Sequence, residues 1–146
     1  MKGTDDCFGR GLLRRVDPSD EKARLSLAQA GEWADEAAKA LAIGVVRSAM
    51  SAVYMAYFHA ARAVLFRDGV REKSHYCIGL YLETYVANGT LEEEWVALFD
   101  HIRGLRQTDQ YNLAASPTEE ETTSALEGAG RFIARMERLV KTPKKQ

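Results

Sequence analysis

The stretch SAMSAVYMAYFHAARAVLF, Ser48 to Phe66, decides the fold that the sequence predicts. Its apolar residues recur every three or four positions, and its alanines allow neighbouring helices to approach closely. His59 and Arg62 interrupt the run, which argues against a membrane span. We therefore expect a central helix over 45–67, buried on most sides and ended by Asp68-Gly69. Its main apolar stripe is predicted to contain Val46, Met50, Val53, Tyr57, Ala60 and Val64.

The segment before this helix has the same periodicity. Asp17 or Ser19 can cap a helix that runs to the turn at Gly44. Its apolar stripe is Leu27, Ala30, Ala34, Ala37 and Leu41. Residues 1–16 lack a clear period, and the sequence predicts a flexible or extended N-terminal arm there that includes GLLRRV.

Three more helices are predicted after the central one. Ser74 can cap the first, which stops at Asn88-Gly89. Thr90 with Glu93 has the pattern of a capping box for the next, and Ser116–Glu119 repeats the capping pattern for the last. The stripe of the next helix is Leu91, Trp95, Leu98, Ile102 and Leu105, and that of the last is Thr122, Leu126, Ala129, Ile133, Met136 and Val140.

The short connections predict antiparallel neighbours, and no segment has a strand period. The fold class is therefore all-α, an antiparallel up-and-down bundle of four to five helices. The bundle is expected over 17–142, followed by a basic tail at 143–146.

Composition narrows the functional classes. The net charge of -1 and the pI near 6.3 give no global argument for nucleic-acid binding, although a local patch is compatible with them. Cys7 and Cys77 make no disulfide framework, and the first fifteen residues lack an apolar leader. We expect a cytoplasmic protein without a membrane anchor.

The polar side chains suggest few sites by spacing alone. No histidine has the spacing of a metal ligand, so neither a metal nor a cofactor is expected. His59 and Arg62 are one helical turn apart. They form a polar pair in a cleft or, as we favour, lie at the margin of a buried helix. Lys73 and His75 flank a helix start that binds an anion or, as we favour, is simply capped. A basic C-terminal run is interpreted mainly as a solvated face, with nucleic-acid binding as the alternative: Arg131, Arg135, Arg138, Lys141, Lys144 and Lys145.

A second polar stretch, LRQTDQYN from Leu105 to Asn112, ends the helix that begins near Thr90. Arg103 and Arg106 lie one step round from its core stripe, on the stripe of Phe99, which is expected to contact a second subunit. Arg106 and Tyr111 are about 140° apart on an ideal helix. They converge on one ligand if the helix unwinds near Asp109 or if a partner chain contributes groups.

Several segments together resemble the HEPN-domain family (higher eukaryotes and prokaryotes nucleotide-binding), in its small stand-alone prokaryotic branch. The segments are Tyr54 with Phe58-His59-Ala60-Ala61-Arg62-Ala63, then Lys73-Ser74-His75, then Leu105-Arg106-Gln107 with Tyr111. The resemblance spans residues 11–140. It implies a helical bundle that dimerises through the helices bearing the arginine motif. It also implies a metal-independent ribonuclease or a toxin paired with a minimal nucleotidyltransferase antitoxin.

The family's ribonuclease signature is an arginine followed, four to six residues later, by a histidine. Arg106 matches the arginine, but no histidine follows it in the chain and Tyr111 stands in the expected place. A tyrosine is a poor general base at neutral pH because its pKa is about 10. We therefore expect a homodimeric component of a toxin–antitoxin or defence module that binds RNA, a nucleotide or a nucleotidyltransferase, with weak or no ribonuclease activity.

The residues that carry this expectation are few. Arg103 and Arg106 are the phosphate-binding candidates, and Tyr111 is a possible nucleotidylation site for the partner enzyme. The alternatives are an active ribonuclease, with Arg106, Asp109 and Tyr111 as catalytic candidates, and a helical interaction module without a nucleic-acid role.

Overall fold

The computed structural model describes residues 3–111 and 116–143, and the side chains at 108–111 lie outside that description. The described residues form mainly helices, as the sequence predicts. In chain order the elements are α1 (Thr4–Gly9), β1 (Leu13–Arg15), α2 (Asp20–Ala42), α3 (Val46–Asp68), β2 (Val70–Glu72), α4 (His75–Ala87), α5 (Glu93–Tyr111) and α6 (Glu119–Lys141). None of the described helices is long and apolar enough to cross a membrane.

Helix α3 is the centre of the bundle and contacts α2, α4, α5 and α6. Most of its residues from Ala49 to Leu65 are buried, which confirms the prediction made from its small and apolar residues. Helix α2 packs on it through fully buried alanines at positions 23, 30 and 37. Side chains this small bring two helices close together, so this contact has little room for substitution.

Most predicted helix ends are confirmed. Ser19 accepts a hydrogen bond from the amide of Lys22 at the start of α2, and Ser74 does the same for α4. Gly69 ends α3 with a φ of 78°, a conformation that glycine adopts without strain. Thr118 forms a capping box with Glu121 at the start of α6.

The predicted capping box of α5 is wrong. The helix begins only at Glu93, and the Thr90 hydroxyl donates instead to the Asn88 side chain, 2.6 Å away. A hydroxyl that forms a hydrogen bond within a turn is not available to cap the helix. The buried face of α5 is also rotated from the predicted stripe toward Val96 and Phe99, because α5 contacts both α3 and α4.

The N-terminal segment has more structure than the predicted arm. Residues Thr4–Gly9 form α1, and Leu13–Arg15 pairs antiparallel with Val70–Glu72. Cys7 forms a disulfide with Cys77, so the expectation that the two cysteines are unpaired is wrong. Seventy residues separate them in sequence, and tertiary contact between α1 and α4 brings them together.

Helices α3 and α6 approach closely at Gly128. A Cβ atom there would lie 2.6 Å from the Tyr57 hydroxyl, which donates to the Ala125 carbonyl at 2.9 Å. Tyr57 is fully buried and cannot move aside without losing that bond. We expect Gly128→Ala to lower the free energy of unfolding by about 1–3 kcal/mol through overpacking.

A matched control lies two residues away in the same helix. Gly130 is exposed, and a Cβ atom there meets nothing within 4 Å. Gly130→Ala should raise the free energy of unfolding by about 0.5–1 kcal/mol, because alanine favours the helix. Urea denaturation measures both variants, and equal stability of the two would contradict the close approach at Gly128.

Candidate functional site

The polar centre of the site is a contact between α3 and the start of α4. The Tyr54 hydroxyl oxygen and His75 Nδ1 lie 2.6 Å apart. The His75 ring also stacks on Phe58, with 4.4 Å between ring centroids. Ser74 caps α4 and thereby fixes the turn from which His75 projects. Tyr54 is fully buried, whereas His75 is half-buried.

Helix α5 brings two arginines to this centre. Phe99 is fully buried and packs against Tyr54 and Phe132, so this residue of the stripe does not contact a second subunit. It faces the core of its own chain because α5 packs against α3 and α4. Arg106, two turns further along, places its guanidinium carbon 4.8 Å from the centroid of the Tyr54 ring.

Arg103 lies beside Arg106 and faces α4. Its guanidinium carbon is 5.4 Å from the centroid of the Tyr76 ring, which is 55% exposed. The Nε of Arg103 lies 3.8 Å from Asp100 Oδ1, too far for a hydrogen bond, and both atoms are buried without a hydrogen-bond partner among the described residues. Gly79 makes room for this carboxylate, since a Cβ there would lie 2.8 Å from Asp100 Oδ1.

The electrostatic environment keeps His75 neutral. Burial lowers its pKa from the ordinary value of 6.5, and Arg106 lowers it further. Weaker contributions come from Glu72, which raises the pKa, and from Arg103 and Arg62, which lower it. The imidazole is therefore uncharged at neutral pH.

The hydrogen bond to Tyr54 determines where that neutral imidazole carries its proton. Burial raises the pKa of Tyr54 to about 12 despite the two arginines, so the phenol keeps its proton. A buried hydroxyl requires an acceptor, and His75 Nδ1 is the acceptor in reach. We therefore assign the imidazole proton to Nε2. In this state Nε2 is the hydrogen-bond donor of the His75 ring.

The structure thus unites candidates that are far apart in sequence. Arg103 and Arg106 lie close to His75. The sequence favoured a simple helix-capping role for the turn that contains this histidine. Sequence reasoning missed the roles of Tyr54 and Tyr76, although Tyr54 belongs to the segment that carries the family resemblance. Tyr54 and Phe58 are four residues apart and share one face of the helix. This spacing was the signal in the sequence that could have revealed the role of Tyr54.

The end of α5 bears on two other candidates. The helix continues through Tyr111, so it does not unwind near Asp109, as convergence of Arg106 and Tyr111 within one chain would require. The side chains of Asp109 and Tyr111 lie outside the described residues. Their roles as catalytic or modification candidates stay predictions.

The secondary candidates on α3 lie beside Phe58 and face α2. His59 and Arg62 line a cavity of about 190 Å³ between α2 and α3. Burial and the charge of Arg62 lower the pKa of His59. Arg62 is paired with Glu72 at 3.1 Å and stacks over Phe66 at 4.8 Å. Lys73 is exposed beside β2.

The basic C-terminal run does not form one solvated face. Arg135 is only 9% exposed, and it donates to the Glu92 carboxylate at 2.9 Å and to the Thr90 carbonyl at 2.7 Å. The expectation of a single exposed face that includes Arg135 is therefore wrong, because this arginine ties α6 to the start of α5. Arg131 and Arg138 are exposed, whereas Lys144 and Lys145 lie outside the described residues.

A metal site is not evident in the part of the chain that the structure describes. Within 3–111 and 116–143, no three His, Cys, Asp or Glu side chains are grouped so that they could hold a metal ion. The cluster around Tyr54 is rich in donors and cations. Such groups bind anions rather than metal ions.

Comparison with known proteins agrees with this helical bundle. The HEPN domain family matches residues 23–139, which include α3 to α5 and most of α2 and α6. A protein of Methanocaldococcus jannaschii named “Putative toxin MJ0605” is 31% identical over 99 residues, which cover 65% of this chain and 71% of that protein. On this match, and with the helical bundle that carries Arg103 and Arg106, the chain belongs to the HEPN domain family.

Proposed function

We propose that the chain binds the phosphate groups of RNA or of a nucleotide through Arg103, Arg106 and His75, as a component of a toxin–antitoxin module. The family and the toxin-named relative support the module. An antitoxin that masks this surface, such as a nucleotidyltransferase, is part of the same proposal. So is a homodimer that places two such sites together.

The convergence of Arg106 and His75 on Tyr54, with Arg103 on the same helix over Tyr76, carries the proposal. No described carboxylate lies within ion-pair distance of Arg106, in contrast to Arg62, Arg67 and Arg135. A phosphate can accept two parallel hydrogen bonds from a guanidinium. With Nε2–H of His75 as a further donor, the site offers charge and directed hydrogen bonds to such a group.

Tyr76 supports a ligand with a nucleobase rather than a bare phosphate. Its ring is exposed beside Arg103, at the edge of the donor cluster. Bases of single-stranded RNA stack on such rings, with a contribution of about 1–3 kcal/mol per base. An unpaired strand is therefore the RNA form that fits best.

Binding is favoured over cleavage by the proton on His75. A neutral imidazole with its proton on Nε2 cannot accept a proton from a ribose 2′-hydroxyl at that atom. Cleavage becomes the second candidate because His75 stands beside Arg106 in space, although no histidine follows Arg106 in sequence. The other tautomer, with the proton on Nδ1, would leave Nε2 as a general base.

Titration of a fluorescent single-stranded RNA, monitored by anisotropy in the presence of a chelator, tests the proposed function. We expect saturable binding that weakens steeply with salt, as phosphate contacts require. Gel analysis of the same samples tests for cleavage. Absence of RNA and nucleotide binding at low salt would overturn the proposal, and cleavage that is lost in His75→Asn would favour the second candidate.

Binding should also depend on pH. A bound phosphate raises the pKa of His75 from its lowered value in the unliganded chain, so binding takes up a proton. Affinity should thus be constant at alkaline pH, rise as the pH falls through the pKa of the complex, and level off below the lowered pKa of the unliganded chain.

The measurement uses an RNA without terminal phosphates, because the ionisation of terminal phosphates would add its own pH dependence to the affinity. His75→Asn should remove the pH dependence. His101→Asn is the matched control, because His101 is exposed on α5. A slope that survives in His75→Asn and disappears in His101→Asn would contradict this assignment.

A further inference from the structure

The two-stranded sheet carries an unusual pair of like charges. Arg14 of β1 and Arg71 of β2 are direct partners in the antiparallel register, and both are exposed. Partners in such a pair project from the same face, with Cβ atoms about 4.5–5.5 Å apart. Like charges at this position destabilise the pairing. An anion between the two guanidinium groups would remove this cost.

Arg71 of this pair lines a cavity at the junction of the sheet with α2 and α3. The cavity has a volume of about 480 Å³ and is lined by Val16, Asp17, Lys22, Arg62, Phe66 and Arg71. It shares Lys22, Arg62 and Phe66 with the cavity of about 190 Å³ that His59 lines. We call the two cavities and the Arg14–Arg71 pair the ribbon groove.

Positive charge predominates in the ribbon groove. Arg14, Lys22 and Arg71 make no ion pair with the described residues, and Arg62 is the cation that Glu72 neutralises. Asp17 is the acid in the lining of the larger cavity. The whole chain has a net charge of -1, so this grouping is local. It is a focused positive potential in a concave surface, which attracts anions.

Arg62 is held in an orientation suited to a flat or anionic ligand. Its guanidinium stacks over Phe66, and its Nε donates to Glu72. The remaining guanidinium nitrogens therefore stay on a fixed group beside the cavity, which lowers the entropy lost on binding. The aromatic wall of Phe66 adds apolar surface to the same place.

We propose that the ribbon groove is a second phosphate-binding site, which takes the phosphate groups of a nucleotide or of an RNA strand through Arg14, Lys22, Arg62 and Arg71. It does not use Arg106, so it can exist whether or not the site around Tyr54 binds RNA. The two places border the same ring: His75 stacks on Phe58 at 4.4 Å, and the Arg62 guanidinium lies 5.5 Å from it. One strand could therefore extend from one site to the other.

Thermal unfolding with sodium tripolyphosphate, compared with sodium chloride at equal ionic strength, tests the groove. We expect tripolyphosphate to raise the Tm of the wild type and of Arg106→Ala beyond the chloride control. Arg71→Glu places a carboxylate opposite Arg14. Combined with Arg106→Ala, which weakens phosphate binding at Tyr54, it should raise the Tm of the unliganded chain and abolish the response to tripolyphosphate. The other variants in this comparison carry Arg106→Ala as well. Arg71→Ala should also lose the response, without the new ion pair.

The matched control is Arg131→Glu, which makes the same charge change on the exposed face of α6. It should keep the response. Loss of the response in Arg131→Glu as much as in Arg71→Glu, or its survival in Arg71→Glu and Arg71→Ala, would overturn the proposal. An equal change in the Tm of the wild type with chloride and with tripolyphosphate would also overturn the proposal. That result would favour an acidic protein surface as the ligand of the groove.

RNA anisotropy then distinguishes the two sources of phosphate. If an RNA strand occupies the groove, Arg71→Glu should weaken RNA binding about 10-fold and reduce the salt dependence. If free nucleotides or polyphosphates occupy it, RNA affinity should be unchanged while the tripolyphosphate response is lost. Loss of RNA binding in Arg106→Ala alone concerns the site around Tyr54 and leaves the groove intact.

Discussion

Replacement of Asp68 by alanine is expected to lower the free energy of unfolding by about 3–5 kcal/mol, enough to remove much of the stability of an ordinary domain. The carboxylate at the end of α3 is buried. It accepts hydrogen bonds from Arg67 Nε, from the Tyr81 hydroxyl and from the Tyr85 hydroxyl. Its loss would leave a buried cation and two phenols without their acceptor.

The same network ties three helices together. Arg67 donates to the carbonyls of Leu139, Val140 and Thr142 at the end of α6, and to the Tyr85 hydroxyl of α4. Burial, together with the hydrogen bond to Asp68, raises the pKa of both tyrosines, so the phenols remain donors. Asp68 thus connects the end of α3 to α4 and, through Arg67, to α6.

Chemical denaturation of Asp68→Ala and Asp68→Asn checks this expectation, and the amide should be the less harmful change because it retains one acceptor. Arg24→Ala is the control. Arg24 pairs with Glu21 at 2.8 Å, but both side chains are 66% exposed. Water replaces such a pair readily, so little change is expected. If Asp68→Ala were as stable as Arg24→Ala, the buried network would have no importance for the fold.

Arg106→Ala should weaken RNA binding by about 10- to 100-fold, the effect of one lost charge-assisted contact to a phosphate. The structural reason is the place of Arg106 over Tyr54 and near His75, with no described acid to neutralise it. Arg106→Lys keeps the charge but loses the planar fork, so it should bind with intermediate affinity.

A second readout of the same variant does not depend on any ligand. Arg106 lowers the pKa of His75, so its removal should bring that pKa back toward the ordinary value. Proton NMR of the imidazole across a pH series measures this change. Arg138→Ala removes an equal charge from an exposed position on α6 and should leave both the affinity and the pKa of His75 unchanged.

The two readouts separate the geometry from the function. If the pKa of His75 does not change in Arg106→Ala, the cluster around Tyr54 is wrong. If the pKa changes but RNA affinity does not, the cluster exists and RNA is not its ligand. The proposed function requires both changes in Arg106→Ala and neither in Arg138→Ala.

Local signals predicted the helices well because helix ends depend on neighbouring residues. Ser19, Ser74, Gly69 and Thr118 act within one turn of their own positions, so the sequence identifies their roles. Thr90 shows the limit of such reasoning. Its hydroxyl donates to the Asn88 side chain in the preceding turn and does not cap α5.

Long-range pairs were beyond the sequence. Cys7 with Cys77, Arg135 with Thr90 and Glu92, and β1 with β2 are contacts between distant parts of the chain. Each of these residues also fits an ordinary role within its own segment. The local sequence therefore does not reveal the distant partner. An arginine in a basic run predicts a solvated face unless its distant partners are known.

The sequence by itself determined an all-α bundle around the stretch from Ser48 to Phe66, since the period of its apolar residues is a local property. It also marked Arg103 and Arg106 as candidates. Only the tertiary structure determined which side chains surround these arginines. The packing of α5 through Phe99 against α3 places Arg106 over Tyr54, and the start of α4 brings His75 to the same hydroxyl. His75, 31 positions before Arg106 in sequence, meets the same tyrosine as Arg106, because helix packing and not sequence order determines which side chains meet.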